Sequence, residues 1–155
     1  MKTKLADRSD AALIHDLMIK AFVEYNDAEP PSSALEETVE SIATALKDDE
    51  QSLISYVDGE AVGMVRFRLK ENAVYFYRLS VIPEKQGQGI AKKILRSLED
   101  YAKQNSIPTM LCKVRMNVSK NIKLYSSMGY SIYDEEVINK PNGTSIKVVS
   151  MVKQL

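Results

Sequence analysis

Between positions 75 and 104 the chain reads YFYRLSVIPEKQGQGIAKKILRSLEDYAKQ, and Gly87 and Gly89 lie at the join between an apolar run and an amphipathic one. A helix entered through Gly-x-Gly presents its first backbone N–H groups unpaired and unobstructed by side chains. Together with the positive end of the macrodipole, those groups can hold a phosphate. Lys92 and Lys93 fall in or near the first turn of that helix, where each cation opposes the dipole by about 0.3–1 kcal/mol unless an anion lies close by. Residues 86–91 therefore read as a pyrophosphate cradle, beside the plainer reading that two glycines merely punctuate a turn. Cys112, the only cysteine, lies in an apolar run, so no internal disulfide and no thiolate metal cluster can form. It reads as a small buried hydrophobe rather than a nucleophile, because the single histidine, His15, is remote in sequence. His15 itself reads as a surface or half-buried helix residue.

The cradle requires a strand to end and a helix to begin on either side of it. An aromatic and β-branched run reaches Ile82, and Pro83 stops it. Beyond the glycines, Ile90, Ala91, Ile94, Leu95, Leu98, Tyr101 and Ala102 recur at the spacing of one buried helix face, with Lys92, Lys93, Arg96, Glu99 and Lys103 outside it. Upstream, residues 53–57, an Asp58-Gly59 turn and residues 61–69 predict a hairpin, since Asp-Gly tolerates the positive φ of tight turns. Residues 70–72 then turn the chain into 73–82, giving three antiparallel strands before the loop, while 47–50 reads as a polar break ahead of them.

The flanks follow the same rules. Residues 2–5 predict a short strand, after which Asp7 or Ser9 caps a helix with Leu13, Ile14, Leu17, Met18, Ala21, Phe22 and Tyr25 on one stripe. Residues 26–31 break that helix, and Ser33 with Glu36 predicts a capping box for a second one facing Leu35, Val39, Ile42, Ala43 and Leu46 inward. The connection carries Glu24, Tyr25, Asp27 and Glu29; it reads as a solvated acidic loop or as the lining of a substrate entrance, which would favour a cationic acceptor. Downstream, 109–116 predicts a strand, Ser119 a cap for a short helix with Ile122, Leu124, Tyr125 and Met128, and Gly129 its end. Residues 130–138 and 145–152 predict a last hairpin across Lys140-Pro141-Asn142-Gly143. By spacing alone Tyr125 is a core tyrosine and Asn121 a capping or surface residue. The order β-αα-βββ-α-β-α-ββ predicts an α/β (α+β) fold: one mixed, mostly antiparallel sheet of about six to seven strands, with about four helices on its two faces.

The 155 residues suit a single domain over 1–155. Lys plus Arg and Asp plus Glu both total 21, so no overall field favours nucleic acid or an anionic membrane. The amino terminus has no apolar core of signal-peptide type and no run approaches transmembrane length, so a cytoplasmic location is expected.

Residues 81–95, VIPEKQGQGIAKKIL, resemble the signature of the GNAT superfamily of N-acetyltransferases, in which a strand ending in Val-x-Pro is followed by Gln/Arg-x-x-Gly-x-Gly/Ala. Here that is Gln86-Gly87-Gln88-Gly89-Ile90-Ala91. Residues 121–130, NIKLYSSMGY, are similar to a second segment of that family, and the closing MVKQL to its terminal strand. The resemblance implies a splayed sheet, with backbone groups of Leu79, Ser80 and Val81 pairing with the pantetheine arm of acetyl-CoA and the N–H groups of 86–91 holding its pyrophosphate. It further implies that Asn121 hydrogen-bonds the cofactor and that Tyr125 stands near its sulfur.

On this resemblance, a primary amine of a small molecule or peptide attacks acetyl-CoA without a covalent enzyme intermediate. Backbone N–H groups near Val81 polarise the thioester oxygen, and Tyr125 protonates the departing thiolate. No metal is implied, and a homodimer through the carboxy-terminal strands enters as analogy only. Relatives often carry Glu or Asp where this chain has Tyr77, and a neutral phenol is a poor base near pH 7. Either water relays the proton to a more distant carboxylate such as Glu24 or Glu29, or the amine arrives unprotonated. Arg78 reads as support for a substrate carboxylate or as half of a structural ion pair. Three other classes compete: a non-catalytic acyl-CoA-binding or regulatory module, a doubly wound nucleotide-binding protein, and a ligand-free interaction domain. The second is disfavoured because its glycine fingerprint belongs early in a βαβ unit, and the third leaves Lys92 and Lys93 unexplained.

Overall fold

A computed structural model describes residues 1–23, 33–116 and 118–155. The strands are β1 (Lys2–Leu5), β2 (Gln51–Val57), β3 (Glu60–Lys70), β4 (Ala73–Val81), β5 (Thr109–Arg115), β6 (Ser131–Asn139) and β7 (Ser145–Gln154). The helices are α1 (Ala11–Phe22), α2 (Val39–Lys47), α3 (Ile90–Gln104) and α4 (Ser119–Ser127). All seven strands form one sheet in the order β1-β2-β3-β4-β5-β7-β6, antiparallel except where β4 meets β5. This is the mixed sheet and element order expected from the sequence.

Alternation along β3 assigns the helices to opposite faces, because successive strand residues point to opposite sides. A Cβ on Gly63 would lie 2.8 Å from Ile94 Cδ1, and Phe67 meets Tyr101 edge-on at 5.3 Å, so this face holds α3. Arg66, between them in sequence, points the other way and reaches Met18 Sδ of α1 at 3.6 Å.

The parallel pairing of β4 with β5 spans only Ala73–Tyr75 against Thr109–Leu111. Beyond it, β4 stays with β3 as far as Val81 and β5 stays with β7 as far as Arg115. The sheet therefore opens into a V whose arms are the second halves of β4 and β5. A bulge sharpens the opening: Met64 pairs with Ser80 and Arg66 with Tyr77, so Val65 faces both Arg78 and Leu79. Arg78 has φ +56°, a left-handed conformation that costs a residue with a Cβ about 1–2 kcal/mol. The bulge increases local twist and turns β4 away from β5.

Several local expectations need correction. Ser33–Glu36 forms a 3-10 turn, and the box that starts α2 is made instead by Thr38 and Ser41, whose side chains each accept the other's backbone N–H at 3.0 Å. Ser119 is the first residue of α4 rather than a side-chain cap. Glu50, read as part of a polar break, is 3% exposed, and Glu99, read as outside the α3 face, is 5% exposed. Both are held by partners distant in sequence. Glu99 accepts from Tyr130 Oη at 2.7 Å and Lys153 Nζ at 3.0 Å, and Glu50 accepts from Arg66 at 2.8 and 3.0 Å. A charge so paired can be buried, whereas an unpaired one cannot.

Candidate active site

The V opens onto two adjoining cavities. One, of about 330 Å³, runs from Leu79 and Val81 past Gln86, Gly87 and Gly89 to Asn121. The other, of about 450 Å³, fills the gap itself and is lined by Tyr77, Arg78, Leu79, Cys112, Arg115 and Tyr125 among others. Phe22, Leu79, Lys120 and Asn121 border both.

The glycine loop is built for its backbone. Gly87 and Gly89 have φ +79° and +77°, and a Cβ added at either would meet nothing within 4 Å. Glycine is thus required by conformation and not by lack of room. Gly89 is the residue from which α3 starts, and no side chain caps that end, so the first-turn N–H groups keep their donor capacity toward the cavity. The side chain of Gln86 donates to the Val81 carbonyl at 3.0 Å and ties the loop to the end of β4. Ile90 is buried, Ala91 half-buried, and both border the smaller cavity; Gln88, exposed, does not. Ser80 is also turned away: it is 1% exposed and its hydroxyl donates to the Arg78 carbonyl at 2.8 Å. Of the residues picked out in the sequence, the fold gathers Leu79, Val81, Gln86, Gly87, Gly89, Ile90, Ala91 and Asn121 around one cavity and sets Tyr125 beside it.

α4 carries Asn121 in its first turn and Tyr125 one turn on, so both face the same way. Tyr125 is 7% exposed, packed edge-on against Phe76 at 5.6 Å and tilted against Tyr130 at 5.9 Å. Two aromatic neighbours fix its ring at the wall of the larger cavity.

Behind the cavity wall, Arg66 donates to Glu50 with Nε and Nη2 and to both Glu37 oxygens with Nη1, at 2.8 to 3.0 Å. Burial works against the Arg66 charge, but the two carboxylates outweigh it and hold the group above its usual range. Tyr77 donates its hydroxyl to Glu50, and Arg78 Nε reaches Glu37 Oε2 at 3.1 Å. Burial, then the bond to Glu50, pushes the Tyr77 phenol up, so it stays neutral at physiological pH. Cys112 is likewise pushed up by burial, to about 12, and is a thiol at neutral pH. His15 is half-buried, its Nε2 bonded to the Glu37 carbonyl oxygen at 3.0 Å, which agrees with the structural reading.

Sequence reasoning missed Arg115, Glu37 and Phe22 at this site, and Gly63 behind it. Nothing local marks them, because their meeting depends on where β4 and β5 part. Glu24, Tyr25, Asp27 and Glu29 lie outside the described residues. Among the described residues no group of three or more His, Cys, Asp or Glu is placed to hold a metal, and no helix is long and apolar enough to cross a membrane.

No curated protein matches the chain. Solved structures do. A probable acetyltransferase from Staphylococcus epidermidis superposes with a TM-score of 0.82 at 14% identity, covering 99% of this chain and 98% of that one. The ribosomal-protein-S18-alanine N-acetyltransferase from Escherichia coli gives 0.78 at 15%, covering 99% and 94%. A putative acetyltransferase from Salmonella typhimurium, with its cofactor acetyl-CoA, gives 0.71 at 21%, covering 100% and 94%. At these identities the likeness speaks for the fold. The sequence itself matches the acetyltransferase (GNAT) family over residues 12–130, most of its length and the whole of the site, and the chain belongs to that family.

Proposed function

We propose that this chain acts as one domain that transfers an acetyl group from acetyl-CoA directly to a primary amine. The observation that carries the reading is the junction at Leu79 and Asn121, where an uncapped glycine-loop helix and a gap in the sheet open into one another. The fit is chemical. Open space at Gly87 and Gly89 admits a pyrophosphate to the backbone N–H groups of 86–91, and Lys85 and Lys92 border the same cavity. The bulged end of β4 from Leu79 to Val81 offers backbone edge to an extended pantetheine arm, and Asn121 offers an amide at the junction. The neighbour from Salmonella typhimurium holds acetyl-CoA on a similar fold.

Acetyl-CoA supplies the activated acyl group. The amine nitrogen bonds to the acetyl carbon, the carbon–sulfur bond breaks, and Tyr125 gives the departing thiolate a proton and recovers one from solvent. Backbone N–H groups near Val81 face the thioester oxygen as charge develops on it. Tyr77 and Cys112, both held protonated, serve as neither base nor nucleophile. In this reading the amine enters unprotonated and its surplus proton leaves to water. Log kcat/KM should then climb with unit slope up to the acceptor amine's own pKa.

Release of free thiol from acetyl-CoA across a panel of primary amines, with Tyr125→Phe alongside, tests the reading. Amine-dependent release that falls in the variant is expected. Thiol release that ignores the amine would refute the function, and unchanged turnover in Tyr125→Phe would remove that residue from the proton-donor role.

A further inference from the structure

The sheet ends in an edge at β6. Among the described residues this strand pairs with β7 alone, and every residue from Ser131 to Asn139 is exposed. A strand paired on one side turns every second N–H and C=O outward, where they form a template for another strand. Four large apolar side chains stand on this edge, Ile132, Tyr133, Val137 and Ile138, with Tyr133 57% and Val137 59% exposed. A bulge between Ile132 and Asp134 breaks the register with β7, but from Asp134 to Asn139 the ladder runs without interruption against Ser150 to Ser145. A regular stretch of edge therefore follows Tyr133. None of the β6 residues borders either cavity of the candidate active site.

The charges along that stretch select what fits it. Alternation puts Asp134, Glu136 and Ile138 on one face and Glu135, Val137 and Asn139 on the other. Glu136 meets Lys113 of β5 at 2.9 Å, and Glu135 lies 4.0 Å from Lys147. Both pairs are exposed, and exposed ion pairs hold weakly, so these carboxylates still have acceptor capacity for a strand laid beside them. A second copy of β6 suits the edge badly. Antiparallel pairing over its full length would set Asp134 against Glu136 and Glu135 against its own counterpart, and like charges directly opposite one another destabilise a sheet. Cations opposite Asp134 and Glu136, with a β-branched residue opposite Val137, satisfy both faces together. We propose that β6 is a docking edge for a different protein, whose extended segment, alternating Lys or Arg with β-branched residues, adds to the sheet as a further strand.

The probe is a fluorescein-labelled peptide of four Val-Lys repeats, compared by anisotropy with four Val-Glu repeats and with the Val-Lys peptide N-methylated throughout. Amide hydrogen exchange of the protein locates the contact. The lysine peptide should bind at least tenfold more tightly than the glutamate peptide, slow exchange within residues 131–139, and lose its binding on N-methylation. In the double variant Asp134→Lys with Glu136→Lys the preference should invert. Both positions are exposed, an unchanged denaturation midpoint checks the variant's fold, and the wild-type comparisons stand without it. Equal binding of the two peptides, or binding of neither, would overturn the proposal. Binding that survives N-methylation would overturn strand addition, and slowed exchange outside 131–139, or a preference that the double variant keeps, would overturn the assignment to this edge. Self-association of the wild type in sedimentation velocity, lost in the double variant, would put a second copy on β6 and overturn the different partner.

Discussion

In the proposed mechanism Tyr125 supplies one proton, and the loss of a positioned general acid costs about 10²–10⁴-fold in rate. Tyr125→Phe should therefore lower kcat by that order while acetyl-CoA KM, read from initial rates, moves little. Cys112 predicts a stability limb at alkaline pH. Its thiol rises from an ordinary value of 9.0 to about 12 in the fold, so the folded state favours the protonated form. That stabilisation is full below pH 9.0 and is lost as pH rises through about 12. The urea midpoint should fall over this window, and Cys112→Ala should flatten part of the fall. Legibility at this scale followed distance along the chain. The glycines could be read because the strand and helix they join adjoin them in sequence, whereas Tyr125, a core tyrosine by spacing alone, was singled out by the family resemblance. Glu50 and Glu99 were misread as exterior because a charge looks solvent-bound until its partner is known. Those partners, Arg66 and Lys153, lie 16 and 54 residues away.

Each element was legible to the extent that its pattern is periodic. α3 is amphipathic over four turns, and its limits emerged from residue spacing; β2, β3 and β4 emerged from alternation and the Asp58-Gly59 turn, whose φ values are +52° and +80°. The start of α2 was misplaced because Ser33/Glu36 and Thr38/Ser41 offer two capping patterns five residues apart, and only the second is used to begin the helix. The splay of β4 from β5 is invisible to periodicity, since it is a register event between strands far apart in sequence; the family resemblance alone implied it. Two glycine substitutions separate the element's backbone from its packing. Gly89→Ala meets no neighbour but forces a Cβ onto φ +77°, so it should cost about 1–2 kcal/mol and raise the KM for acetyl-CoA. Gly63→Ala places its Cβ 2.6 Å from the Ser80 carbonyl oxygen, and the overpacking should cost about 1–3 kcal/mol by urea unfolding. It should also disturb the site, because that carbonyl belongs to the bulged end of β4.

At the scale of the molecule, the sheet's opening is braced from behind. Arg66 on β3 links Glu50 just before β2, Glu37 before α2, and through them Tyr77 and Arg78 on β4. Breaking a buried pair on one side leaves a charge without its partner, so Arg66→Leu should destabilise by about 3–5 kcal/mol, read as a fall in the denaturation midpoint. The brace also reaches the cavity wall, since Glu37 pairs with Arg78 there. Direct transfer through the junction at Leu79 and Asn121 is tested most directly by mass spectrometry of protein and acceptor after incubation with acetyl-CoA. One acetylated amine per thiol released, with the protein's own mass unchanged when acceptor is withheld, is the predicted result. An acetylated protein that forms without acceptor and then passes its acetyl group to the amine would contradict it.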